Sequence, residues 1–161
     1  SDFDARPPRL RDEWTYVHAQ TSAGLGPDQY ARFVQPFNER FARPFTNHTV
    51  YYHGCEPLHD KMIHIARTPN LRRFHVSPWT DLDRATAFFG DRMVLEVHDH
   101  PGDVFFTRTP DAIRRHVRDL LRRGRGARMD LNLSDINSFN DDPALLVLWS
   151  RIAREESERA A

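Results

Sequence analysis

Apolar residues recur along the chain at two spacings, and each spacing predicts a different kind of element. Short stretches rich in β-branched and aromatic residues are typical of strands, whereas apolar residues three and four positions apart are typical of one helix face. Five strand-like stretches occur, at 14–20, 49–52, 74–76, 93–97 and 129–133. A helical pattern follows each of them, which predicts five strand–helix units.

Two of these elements carry specific expectations. The first helical stripe is predicted to pack into the core, with a kink at Pro36 because proline interrupts helical hydrogen bonding. Its apolar residues are Tyr30, Phe33, Val34, Phe37 and Phe41. The stretch at 93–97 is almost continuously apolar, which predicts a strand buried on both faces.

Helix boundaries are marked most clearly at two positions. Gly90 follows the helix after the third strand and is predicted to end it. Thr109 precedes Pro110, a pair that suits the N-cap and the first position of the next helix. The last helix is predicted to run to Glu158.

Strands that alternate with helices predict an α/β fold with a parallel sheet. The pattern alone does not distinguish an open, doubly wound sheet from part of a barrel. In both, reactive groups gather at the carboxyl ends of the strands. Residues 1–13 are polar and contain Pro7-Pro8, so we interpret them as an N-terminal arm and 14–161 as a single domain.

Composition excludes several classes of function. The 161 residues carry 23 basic and 23 acidic side chains, so no overall charge draws the chain to nucleic acid or to an anionic membrane. No apolar run is long enough to span a bilayer, and the first residues lack the layout of a secretory signal. With a single cysteine, no disulfide forms within the chain, and the cytoplasm is the expected compartment.

The sequence also lacks several common motifs. It contains no GxGxxG, no P-loop and no GxSxG. The densest basic stretch, 122–128, lies at the end of a predicted helix and has no interleaved aromatic residues. It is therefore interpreted as a solvated helix terminus.

The second strand ends in His53-Gly54-Cys55. In extended backbone, positions i and i+2 point to the same side, so the imidazole and the thiol are able to face one ion. This pair of ligands suits zinc. The alternative is a buried free cysteine beside a surface histidine.

Three further positions at predicted strand ends carry candidate chemistry. His98-Asp99-His100 repeats the i, i+2 geometry with two imidazoles, or else forms a polar turn. Glu56 is a candidate ligand or base, or a negative charge at a helix start. Asp135 is a site candidate beyond the fifth strand, or closes an Asx-turn.

Three other residues are candidates for binding a small-molecule substrate. His18 and Gln20 share one face of the first strand, where ordinary polar packing is an equal alternative. Trp79 follows the third strand, and with His98 it is expected to contact the substrate.

Four segments in order resemble the C-terminal part of the uroporphyrinogen decarboxylase superfamily. They are GLGPDQYARFVQPF, the strand ending in HGC, FGDRMVLEVHDHP and TPDAIRRHVRDLL, and the likeness runs from about Trp14 to Glu156. The superfamily contains corrinoid-protein and coenzyme M methyltransferases and is related to cobalamin-independent methionine synthase. GCEPLHDK, TPNLRRFHVSPW and IAREE look most like a methyltransferase- or decarboxylase-like branch.

The resemblance implies a (β/α)8 barrel, which has eight strands and takes about 250 residues. The five strands predicted here correspond to its last five units. Such a partial barrel exposes sheet edges, so self-association or a complementary N-terminal half is expected to cover them.

The resemblance also implies a metal. Methyltransferases of this superfamily bind zinc through a His-x-Cys pair and a later cysteine, and they work with a corrinoid protein or a thiol. His53 and Cys55 match the pair, whereas the later cysteine is absent. A third ligand then has to come from another residue, and the candidates are Glu56, His98, His100 and Asp135.

The leading hypothesis is therefore a methyltransferase-like protein with zinc on His53 and Cys55. Glu56, His100 and Asp135 are its candidate catalytic residues. One alternative is a metal-free decarboxylase of a porphyrinogen-like polycarboxylate. The family's Gly-His-Gly turn, however, is replaced by 131–135, LNLSD. The other alternative is a non-catalytic half-barrel subunit.

Overall fold

Five strands form one parallel sheet in the computed structural model, which describes residues 9–47, 49–106, 109–138 and 142–160. The strands are β1 (Thr15–His18), β2 (Val50–His53), β3 (Leu71–Val76), β4 (Val94–Asp99) and β5 (Arg128–Leu133). Their spatial order is β1-β2-β3-β4-β5, and each neighbouring pair is parallel. A doubly wound sheet reverses its strand order, whereas consecutive units of a (β/α) barrel keep it. The predicted α/β fold is confirmed, with the order of a partial barrel.

Each strand is followed by one or two helices. In chain order they are α1 (Pro27–Phe33), α2 (Gln35–Ala42), α3 (Met62–Ile65), α4 (Leu82–Phe89), α5 (Pro101–Phe105), α6 (Pro110–Arg123) and α7 (Ala144–Ala160). Short 3-10 turns lie at Leu10–Asp12, within the predicted arm, and at Gln20–Ser22. Residues 1–8 of that arm lie outside the described residues. No helix of the described part is long and apolar enough to cross a membrane.

The two faces of the sheet differ in character. One face is apolar and packs against the helices, with Tyr52, Phe74 and Leu95 fully buried in the main core. The other face is polar, and its central residues include His75 and Glu96, which are paired in the β3–β4 register. The prediction that the fourth strand is buried on both faces was wrong. Its exposure alternates, because the polar face carries Glu96 and His98 between buried apolar residues.

The first helical stripe differs from the prediction. The break at Pro36 is confirmed, since one helix ends at Phe33 and the next begins at Gln35. Only part of the stripe packs into the core: Tyr30 is fully buried and Val34 packs beside it, whereas Phe33, Phe37 and Phe41 are 56%, 67% and 54% exposed. The break changes the rotational phase of α2, which turns Gln35 inward, where it donates to Thr68 Oγ1 at 3.2 Å.

The other helix boundaries follow the sequence signals. Gly90 ends α4 at a φ of 56°, a backbone conformation that glycine adopts without strain. Thr109 caps α6, its Oγ1 accepting a hydrogen bond from the Ala112 N–H. Helices α6 and α7 then pack together in a second core cluster around Val117 and Ile152.

Candidate functional site

His53 and Cys55 meet at the carboxyl end of β2. The His53 Nε2 and Cys55 Sγ atoms are 3.4 Å apart. Nitrogen and sulfur ligands of a tetrahedral zinc ion are about 3.5 Å apart, given bond lengths near 2.0 and 2.3 Å. The pair therefore has the spacing that one zinc ion requires.

Gln20 lies beside this pair at the end of the neighbouring strand. Its Nε2 is 3.4 Å from His53 Nε2 and 3.4 Å from Cys55 Sγ. A 180° rotation of the Gln20 side-chain amide would place its oxygen, instead of its nitrogen, beside His53 Nε2 and Cys55 Sγ. His18 pairs with His53 in the β1–β2 register, but it is exposed and stacks on Tyr16.

Three residues that the sequence did not single out surround His53 on the polar face. Tyr51 Oη donates to Glu96 Oε1 at 2.7 Å, and it lies 3.3 Å from His53 Nδ1 and 3.2 Å from His75 Nδ1. The two Nδ1 atoms are themselves 2.9 Å apart. Tyr51, His75 and Glu96 therefore link three neighbouring strands to the candidate site.

This geometry couples the tautomers of His53 and His75. Tyr51 gives its only hydroxyl proton to Glu96, so it accepts from an imidazole. Two Nδ1 atoms at hydrogen-bond distance share one proton between neutral rings. When His53 Nδ1 holds that proton, His53 Nε2 has a free lone pair facing Cys55. A metal ligand needs that tautomer.

The electrostatics of the cluster favour the neutral forms of His53 and His75 and the charged form of the Glu96 carboxylate. Burial lowers the pKa of His75 to about 3. Burial, with a smaller effect of His98, also lowers the pKa of His53. For Glu96 burial alone would raise the pKa, but hydrogen bonds from His98, Tyr51 and Arg73 lower it well below its ordinary value. Neutral imidazole is the form that binds metals.

His98 belongs to this network, and it also lines a cavity of about 380 Å³ together with Trp79 and His100. Its ring stacks on that of His75 with centroids 3.9 Å apart. Its Nε2 is 2.7 Å from Glu96 Oε1. Arg73 contributes the counter-charge, because it forms ion pairs with both Glu96 and Asp130.

Glu56 faces the interior, with its Oε2 close to Gly54, the residue between His53 and Cys55. Its side chain is buried and its Oε1 accepts from Ser22 Oγ at 2.9 Å. Lys61, the single lysine, is also buried and donates to the Ser22 carbonyl at 2.8 Å. Glu56 thus contributes to an interior polar cluster, and within the described residues its side chain is hydrogen-bonded to Ser22 rather than to His53 or Cys55.

His100, Trp79 and Asp135 come together in a separate cavity. It measures about 270 Å³ and lies at the carboxyl ends of β3, β4 and β5. Trp79 and His100 make an edge-to-face contact with centroids 6.4 Å apart. Asp135 has a φ of 35°, a strained conformation of the kind that concentrates at functional sites. The Asp135 carboxylate also acts on the pKa of His53, in the raising direction.

The donor set for a metal is incomplete around the pair. In the described part of the chain, one group of three histidine, cysteine or acidic side chains has its ligand atoms within 4.8 Å, and it consists of His75, Glu96 and His98. The candidates for a third zinc ligand were Glu56, His98, His100 and Asp135. Among the described residues, none of them has a ligand atom within 4.8 Å of those of both His53 and Cys55. The residues present fit two zinc ligands, with Gln20 beside them.

Comparison with known proteins supports the fold. No protein-family profile matches the sequence, and no curated protein is significantly similar to it. Among solved structures, the chain is similar to a methyltransferase from Methanosarcina mazei, with a TM-score of 0.60 at 12% sequence identity. The match covers 86% of this chain and 42% of that chain, so this chain spans less than half of the methyltransferase's length. At this identity the likeness establishes a shared α/β fold.

Proposed function

We propose that this chain is a methyltransferase-like protein of the uroporphyrinogen decarboxylase superfamily, in which His53 and Cys55 hold a zinc ion. The transfer would involve a corrinoid protein or a thiol. The observation that carries the proposal is the 3.4 Å separation of His53 Nε2 and Cys55 Sγ at a strand's carboxyl end. The fold shared with the Methanosarcina mazei methyltransferase supports it.

In this proposal the chain's own residues prepare the site. Cys55 gives up its proton to bind as thiolate, and His53 binds through Nε2. His75 and Tyr51 hold His53 in the required tautomer, since both lie within hydrogen-bond distance of its Nδ1. The bound metal would supply Lewis acidity.

The cavity that contains Trp79, His100 and Asp135 is the proposed substrate site. It lies at the end of the sheet where parallel α/β proteins place their ligands. His100 and Asp135 offer a proton carrier and a carboxylate there, and Trp79 offers an aromatic surface. The decarboxylase alternative gains no support from Arg73, whose charge is already paired with Glu96 and Asp130.

Cobalt(II) substitution tests the metal part directly. Cobalt bound to thiolate gives an intense charge-transfer absorption, which reports Cys55 alone because it is the single cysteine. We expect this band in the wild type, its loss in Cys55→Ala and at least tenfold weaker binding in His53→Ala. His64→Ala, outside the site, is the matched control and should keep the band. A folded wild type without the band would refute the zinc pair.

The methyl-transfer part has its own measurement. The zinc-loaded chain is mixed with methylcobalamin and a small thiol, and the cobalamin spectrum follows loss of the methyl group. We expect a rate above the uncatalysed reaction that falls at least tenfold in Cys55→Ala. A rate equal to the uncatalysed one, with the cobalt band present, would leave a metal site but remove the methyltransferase function.

A further inference from the structure

A second group of potential metal ligands lies on the polar face of the sheet. His75 comes from β3, and Glu96 and His98 come from β4. One ligand atom from each lies within 4.8 Å of the others. None of the three belongs to the His53–Cys55 pair.

Two nitrogen atoms of this group are buried without a partner. Within the described residues, His75 Nε2 and His98 Nδ1 have no hydrogen-bond partner, and His75 is only 1% exposed. Leaving a buried polar atom unpaired costs about 1–3 kcal/mol. For that reason such atoms in native proteins are usually satisfied by a ligand, an ion or water.

We propose that His75, Glu96 and His98 form a binding site for a divalent transition-metal ion, alternative to the His53–Cys55 pair. Two imidazoles and one carboxylate are a nitrogen- and oxygen-donor set that suits zinc, iron(II), cobalt(II) or manganese(II). Ligand atoms around such an ion are about 3.3 Å apart, so closing the group requires side-chain shifts on the order of 1 Å.

The local charges favour a cation at this position. Arg73 carries one positive charge, and its partners Glu96 and Asp130 carry two negative charges. Arg73, Glu96 and Asp130 together therefore have one negative charge in excess, which favours a cation beside them.

The lone pairs needed for ligation follow from the hydrogen bonds. Glu96 is ionised and accepts, so the proton at 2.7 Å belongs to His98 Nε2. An ion bound by both residues would take the place of this hydrogen bond, with His98 Nε2 as the ligand and the ring proton on Nδ1. His75 Nε2 has its lone pair when the proton shared with His53 lies on His75 Nδ1.

That shared proton makes the two sites exclusive. With the proton on His53, the lone pair faces Cys55 and His75 Nε2 carries a hydrogen. With the proton on His75 Nδ1, His53 Nε2 carries a hydrogen and His75 Nε2 has the lone pair. The ion then binds to His75, Glu96 and His98. The chain should therefore take up one ion rather than two.

Cobalt(II) titration of Cys55→Ala tests the site, because this variant has no cysteine. We expect one equivalent to bind with weak visible bands, no thiolate band, and a rise in melting temperature with cobalt concentration. Adding His98→Ala or the isosteric Glu96→Gln should weaken binding at least tenfold. The control Cys55→Ala with His64→Ala should bind as Cys55→Ala does.

The outcomes separate this site from the zinc pair. Absence of cobalt binding by folded Cys55→Ala overturns the present proposal and leaves the wild-type thiolate band untouched. Binding that survives both His98→Ala and Glu96→Gln overturns it as well. Two equivalents bound by the wild type would overturn the exclusivity.

Discussion

The contact between His53 Nδ1 and His75 Nδ1 is the residue-level feature on which the candidate chemistry depends. The two rings belong to neighbouring strands and lie edge to face, with centroids 4.5 Å apart. A single proton between them decides which ring offers its other nitrogen as a lone pair. Tyr51 stands at the same point, within 3.3 Å of both nitrogens.

Replacing Tyr51 by phenylalanine is a direct test of this arrangement. Tyr51→Phe removes a donor to Glu96 and an acceptor for the shared imidazole proton. Cobalt affinity at the His53–Cys55 pair should fall about tenfold, as is typical when a partner of a metal-binding histidine is lost. The thiolate band should persist at saturation. Titration of the band in parallel with Tyr16→Phe, an exposed tyrosine on β1, provides the control; equal affinities would contradict the positioning role.

Sequence reasoning found only part of this site, for a structural reason. The spacing i, i+2 was sufficient to place His53 and Cys55 side by side, because it depends on one strand alone. Tyr51, His75 and Glu96 depend on the register between strands. The β2–β3 register shifts between Val50 and Tyr51, and no sequence signal encodes that irregularity.

At the scale of elements, α7 is held to α6 by an ionic cluster. Glu156 is buried on α7 and forms ion pairs with Arg114 and Arg118 of α6 and with Arg159 one turn further along α7. The hydrogen bond from Arg118 lowers the pKa of Glu156 to about 2, which outweighs the opposite effect of burial. The cluster therefore needs an ionised Glu156.

This cluster predicts an acid-dependent loss of stability. A carboxylate whose folded pKa is depressed contributes stability above its unfolded pKa, which is about 4.5, and loses it as the pH falls toward 2. Urea unfolding should show Glu156→Gln to be less stable than the wild type at pH 7, with the difference shrinking toward pH 2. Glu158→Gln, exposed on the same helix, is the control. A difference that does not change with pH would show that the ionic cluster contributes nothing.

Elements were predictable where a local signal marks them. The Thr109 cap and Gly90 stop act through their own backbone surroundings, and both were confirmed. The inward face of α2 was not predictable from periodicity. The helix is broken between α1 and α2, so the apolar spacing in α1 does not determine which side of α2 faces the core. Helix α5 was missed because five residues are too few to show a helical period.

At the scale of the whole molecule, the exposed phenylalanines are the largest departure from the expected pattern. Phe33 ends α1, while Phe37 and Phe41 lie one turn apart on α2, and these three exposed side chains are called the aromatic ridge below. Trp14 and Tyr16, next to and on β1, are also at least half exposed. Several large apolar side chains exposed on one molecule suit a contact with another chain.

We expect the ridge to be buried by self-association. Light scattering of the wild type should give a mass above the 18.9 kDa of one chain, and Phe37→Asp should lower it toward that value. Val147→Asp, at an equally exposed apolar position on α7, should leave the mass unchanged. A wild type that is monomeric at high concentration would contradict self-association and favour a different partner for this surface.

The strands lie in the sheet in the same order as in the sequence, and this order fixes where further strands are able to pair. In the described part of the chain the sheet's open sides are Thr15–His18 and Arg128–Leu133, while the histidines lie between them. Any additional strand, from whatever source, can join only at those two margins. Added strands would thus leave His53, His75 and His98 in the middle of a wider sheet, and no strand would be inserted between them.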